Sequence, residues 1–240
     1  MINSPYTCII GVNFFLKCYR ITVMTKVFGN QGLAAFDLAE IDKTNYFEYK
    51  FTDLARYNTE YLTSVTEHFL KKIKKQEISP FVGICMGEIV SNAIKAILKR
   101  AHFILNKLDI NNPEEYQIGM KTFHDEGLGL LKNKQTAAEI RQMNYYVKIQ
   151  FSVSKNQFKI VTINNCVITP EEKVRIQDKM KLSEHDQADN FFADSVDMSE
   201  GSGLGIVMIK KLMAQMGLSS ECFEIDTNET ETLTTLTIPF

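Results

Sequence analysis

Apolar residues recur along this chain at two spacings, and the spacing indicates the element. Positions 46–51 are short and aromatic, as in a strand. From 53 to 76 the stripe Leu62, Val65, Phe69 and Ile73 predicts a helix. Ser79-Pro80 supplies an N-cap and a proline for the first turn of a second helix. Its buried face would be Phe81, Ile84, Cys85, Ile89, Ala93, Ala96 and Ile97, continuing to about residue 108 before Asn111-Asn112-Pro113 breaks it. Residues 114–143 are polar-amphipathic, one or two helices joined near Gly127-Leu-Gly129. Two strands follow at 145–153 and 158–163, joined by a hairpin at 154–157, and Thr169-Pro170 then opens another helix. Residues 181–202, rich in Asp, Ser, Asn and Gln, predict a mobile loop. A glycine-rich stretch leads into a helix carrying Ile206, Ile209, Leu212, Met213 and Met216. Strands at 221–225 and 232–239 close the chain.

With 45% hydrophobic and 23% charged residues and a net charge of -2, the composition is that of a soluble globular protein without general affinity for nucleic acid or anionic membrane. Cys8, Cys18, Cys85, Cys166 and Cys222 are odd in number and contain no CxxC pair, which argues against a disulfide framework or zinc site. The apolar stretch 8–16 is too short to span a bilayer and lacks the basic start of a signal peptide, so it reads as a strand or appendage. Met24 offers an alternative start, and the cytoplasm is the expected location. The division expected is an N-terminal extension, 1–44, and one domain, 45–240, with an insertion at about 109–144.

Two stretches carry candidate chemistry. Ser199-Glu-Gly-Ser-Gly-Leu-Gly places Gly201, Gly203 and Gly205 at alternate positions before a helix. Glycine permits close ligand approach, and a helix start presents free N–H groups and the positive dipole end, so phosphate is a natural ligand. In Gly87-Glu-Ile-Val-Ser-Asn-Ala-Ile-Lys95, Glu88 and Asn92 share a helical face. Two readings are open. In one, Asn92 offers a neutral oxygen to Mg2+ and Glu88 deprotonates a hydroxyl or water. In the other, both simply face solvent on a half-exposed helix.

In order and spacing, the Glu-x-x-x-Asn-Ala helix, a strand ending in a polar turn, the Gly-Ser-Gly-Leu-Gly-Ile-Val-Met-Ile-Lys-Lys run and the ending Leu233-Thr-Thr-Leu-Thr-Ile-Pro-Phe240 resemble the histidine-kinase-like ATPase superfamily. This is the Bergerat ATP-binding fold of sensor kinases, anti-sigma serine kinases, DNA gyrase and a class of heat-shock chaperones. The resemblance covers roughly 45–240. It implies an α/β two-layer sandwich, with a mixed, mostly antiparallel sheet and helices on one face. It implies ATP and Mg2+ as cofactors, Asn92 as the metal-holding residue and Glu88 as the catalytic base. Lys95 would face the phosphates, Gly201, Gly203, Leu204 and Gly205 would wrap them, and about 171–200 would form a lid.

The family's Asp-x-Gly-x-Gly turn, whose aspartate accepts the adenine amine, is altered. Asn164 replaces the aspartate, and Cys166 and Ile168 replace the glycines. An asparagine oxygen still accepts, but a neutral bond is about half as strong as a charge-assisted one. Among His68, His102, His124 and His185, none has the two-helix dimerisation module a phosphoacceptor needs, and His68 reads as a surface or interface residue. The expected function is a signalling phosphotransferase that binds ATP or ADP and a protein partner or phosphoacceptor; a homodimer is compatible with it. The alternatives are a degenerate module that senses nucleotide or binds a protein partner without one, and a plain α/β domain.

Overall fold

The computed structural model describes residues 23–28, 41, 43–55, 59–182 and 204–240. The stretch 8–16 and Gly201 and Gly203 lie outside them. Twelve elements are described: β1 (Val23–Phe28), β2 (Tyr46–Phe51), α1 (Thr59–Lys72), α2 (Ser79–Leu105), α3 (Pro113–Glu126), α4 (Lys134–Gln142), β3 (Val147–Val153), β4 (Gln157–Asn164), α5 (Pro170–Leu182), α6 (Leu204–Gln215), β5 (Phe223–Thr227) and β6 (Thr232–Pro239).

The strands form one sheet in the order β1-β2-β3-β4-β6-β5, parallel only between β1 and β2. Alternate residues of each inner strand face the helices, because side chains switch sides with period two. Phe47, Tyr49, Phe51, Val147, Ile149, Phe151, Phe158, Ile160, Leu236 and Ile238 are buried there. They meet Leu62, Val65 and Phe69 of α1, Ile89, Ala93 and Ile97 of α2, and Ile209 and Met213 of α6 in one core. Phe69 stacks on Phe151 and Phe158 with centroids 5.6 and 5.3 Å apart. The opposite face is polar: Tyr46 and Gln150 both donate to Glu48, and Lys50 lies over the Tyr146 ring. The architecture is the two-layer α/β sandwich expected, with a mixed, mostly antiparallel sheet.

Along β4 the helix-facing row changes character. Phe158 and Ile160 give way to Thr162 and Asn164, which pair across the ladder with Thr234 and Thr232. A polar, buried end of the sheet thus adjoins an apolar one.

Several boundaries differ from the expectation. Helix α1 begins at Thr59 rather than 53, because Asp53 accepts from the Ala55 N–H and turns the chain. Ser79 is no N-cap: a 3-10 turn, Gln76–Ile78, runs directly into α2 and puts Ser79 in helical φ/ψ. Helix α2 stops at Leu105, short of 108. Lys107 takes φ 56° and Leu108 N bonds Phe103 O, a left-handed cap made without glycine. Residues 109–144 form α3, a 3-10 turn (Gly127–Leu131) and α4, packed on α2. Residues 181–182 belong to α5 rather than to a loop.

Among the described residues, one helical stretch, Gln76–Leu105, is long and apolar enough to cross a membrane; half of it is buried within the fold.

Candidate functional site

Glu88, Asn92 and Lys95 occupy successive turns of α2, at i, i+4 and i+7, and so share one side of the helix. Each is half-buried. None makes a side-chain hydrogen bond or ion pair among the described residues. A carboxylate, a carboxamide and an ammonium are thus held in a row by a helix whose other side is core.

The glycine-rich stretch meets this row. Leu204 opens α6, and its side chain lies outside the described residues; Gly205 stands in the first turn. A Cβ built on Gly205 would stand 1.9 Å from Glu88 Oε1 and 2.5 Å from its Cδ, so any other residue here would displace the carboxylate. The start of α6, with the positive end of its dipole, therefore abuts Glu88 in the polar row of α2. Two stretches more than a hundred residues apart are brought to one place, while Gly201 and Gly203 carry no structural statement. Farther along α6, the buried Lys210 donates to Met180 O at 2.8 Å, tying α6 to the end of α5.

Asn164 ends β4 and is 4% exposed. Its Oδ1 accepts from Cys166 N at 3.1 Å. The turn that follows is pinned residue by residue. Asn165 accepts from Tyr146 N and donates to Asn144 O. Cys166 O accepts from Thr232 Oγ1 at 2.5 Å, and Val167 O from Arg100 Nη2 at 2.5 Å. Ile168 N donates to Thr227 Oγ1. Thr169 and Glu172 form a reciprocal capping box at the start of α5. Where glycine would leave space, the Cys166 side chain joins the core. Burial pushes its thiol up to about 12, so it is inert rather than reactive.

Glu172 also receives Lys99 Nζ at 2.7 Å, and Arg100 through Nη1 at 2.7 Å and through Nη2. Burial alone would raise this carboxyl, but the Arg100 hydrogen bonds and the two positive charges bring it down to about 2. Burial would likewise lower Arg100, and the bonds and charge of Glu172 raise it instead. For Lys99 burial outweighs the attraction of Glu172, and its pKa falls. The strong pair is therefore Arg100–Glu172, with Lys99 as an auxiliary. Nearby, the buried Tyr116 hydroxyl has no hydrogen-bond partner among the described residues, while Arg175 lies over its ring.

Sequence reasoning missed this clamp and the hydroxyl of Thr162, which is 2% exposed and without a partner among the described residues. Thr169-x-x-Glu172 was legible as a capping box; nothing local marks Lys99 or Arg100 as its partners. Among the described residues no group of three His, Cys, Asp or Glu side chains could hold a metal by itself.

No family model matches the chain, and no solved structure matches it. An uncharacterized protein of Treponema pallidum (strain Nichols) is 30% identical over 180 residues. The alignment covers 75% of this chain but 35% of the relative, so the chain spans about a third of that protein's length.

Proposed function

We propose that this is a nucleotide-binding domain of the histidine-kinase-like ATPase type, holding Mg-ATP in the cytoplasm and transferring phosphate to a protein in signalling. One observation carries the reading: Glu88, in a row with Asn92 and Lys95 that has no side-chain partner among the described residues, lies against the glycine-bearing start of α6. Half-buried polar groups that find no protein partner are suited to an outside one.

The donor set fits a magnesium ion held mostly by phosphates and water, since Mg2+ keeps several waters and takes few protein ligands. Asn92 would supply the neutral oxygen. Lys95 would oppose phosphate charge, and the first-turn N–H groups of α6 would bind phosphate oxygens. Glu88, beside them, would accept the hydroxyl proton of the acceptor during in-line transfer. Bound Mg-nucleotide supplies the activated phosphoryl group and neutralises its charge.

Thermal denaturation of the chain with millimolar Mg2+ and ATP or ADP tests the reading. Ligand at about 100 times its Kd stabilises by roughly 2.7 kcal/mol, several degrees in Tm for a chain of this size. Asn92→Ala should remove the magnesium dependence, and Glu88→Gln should abolish transfer while leaving binding intact. No shift with either nucleotide overturns the reading. It would favour the second one, a regulatory module that binds a protein partner without nucleotide. The rigidly pinned turn 164–169, with a cysteine side chain filling the space of a glycine, supports that alternative.

A further inference from the structure

Helices α1 and α2 lie side by side, joined through the 3-10 turn Gln76–Ile78. Between them runs a groove of about 290 Å3. Thr59, Thr63 and Thr66 stand on one wall, Gly83 and Gly87 on the other. The hydroxyls of Thr63 and Thr66 donate back to Thr59 O and Leu62 O, so their wall offers mainly carbon. A Cβ on Gly83 or Gly87 would meet nothing within 4 Å among the described residues. Glycine costs a helix stability, and none of those residues requires it here. Ile84, next to Gly83, is 49% exposed. One face thus carries an apolar knob beside a hole, the two parts that helix packing fits together.

The rim of the groove is charged, and the sign changes along α1. Glu60 and Glu67 fall one turn before and one turn after Thr63, and Lys71 one turn later, on the same stripe of the helix. Lys74 follows just beyond the helix end. All four charges are exposed, and none makes a side-chain bond among the described residues. A row that is acidic at one end and basic at the other complements itself when turned end for end. A two-fold axis does this, because each subunit then presents the same patch to the other.

We infer that this face of α1 and α2 seats a second copy of the chain, acidic end against basic end, with the Ile84 of each copy set in the other's groove. A different protein would have to bring a matching row and knob of its own, whereas the second copy already carries both. Gly87 precedes Glu88, so the interface borders the polar row of α2. Association of this kind needs no nucleotide and does not depend on the reading above.

Analytical ultracentrifugation of the full chain without nucleotide tests the inference, and the unaltered chain should sediment as a dimer at micromolar concentration. Glu60→Lys with Glu67→Lys makes the row wholly basic; Lys71→Glu with Lys74→Glu makes it wholly acidic. Each of these variants alone should dimerise about tenfold or more weakly, since like charges then face each other. An equimolar mixture of the two should regain association as a one-to-one complex. Ile84→Glu should weaken the dimer as well, with circular dichroism confirming that each variant is folded. A monomeric unaltered chain overturns the inference and leaves the groove to a different protein. A dimer that none of the variants weakens overturns it too, as does a mixture that associates no better than its parts. If Ile84→Glu does not fold, the charge variants and their mixture decide alone.

Discussion

Two stretches of the polar side of α2 differ in where their hydrogen bonds go. Lys99 and Arg100 are committed: both hold Glu172, and Arg100 also caps Val167 O. Glu88, Asn92 and Lys95, on the preceding turns of the same helix, make no side-chain bond among the described residues. Composition does not separate the stretches, since each sets charged side chains into an apolar helix. The difference lies in what the neighbouring element brings. Helix α5 arrives with a carboxylate, and its charges are consumed in holding the fold. Helix α6 arrives with a glycine set against Glu88. A charge that supports the fold can thus be told, by its bonds, from one that has none among the described residues.

Glu172→Ala should show the largest effect, since it strands two buried cations. A loss of about 3–5 kcal/mol is expected in urea unfolding. A loss under 1 kcal/mol would erase the distinction between the stretches.

Acid sharpens the same contrast. The Glu172 carboxyl is lowered from 4.5 to about 2 in the fold, so its contribution is complete above about pH 4.5 and is lost as pH falls from there toward 2. The amount is about 3 kcal/mol by linkage. Glu172→Gln should flatten the acid limb of stability against pH measured by urea unfolding; an unaltered limb would place the titrating group elsewhere.

Smallest are the expected effects of Glu88→Gln, Asn92→Ala and Lys95→Ala on the ligand-free protein, each within about 0.5 kcal/mol of the starting stability by urea unfolding. A loss of 2 kcal/mol in any of them would mean that the row is structural after all.

How much of this was legible beforehand depended on whether the signal was local. Pro80, Pro113 and Pro170 mark three helix starts because proline suits only a first turn. Gly217, at φ 71°, marks the end of α6. Helices α1 and α2 end on Lys74 and Lys107 in the same left-handed conformation, and a lysine carries no such mark. The candidate site divides likewise. Glu88, Asn92 and the glycine run stand out as polar or small residues set in helical patterns. The Glu172 clamp did not, because its partners are separated by more than seventy residues.

The amino-acid pattern by itself determined most of the helices and strands, though not β1, because periodicity and turn chemistry act over a few residues. Only the tertiary structure decided which polar groups would be paired. It set Glu172 on Arg100, drew Gly205 against Glu88, and turned the Asn164 oxygen inward to Cys166. Hydrogen bonding is satisfied in space rather than along the chain, so what each polar residue has left to offer a ligand emerges only when the layers close.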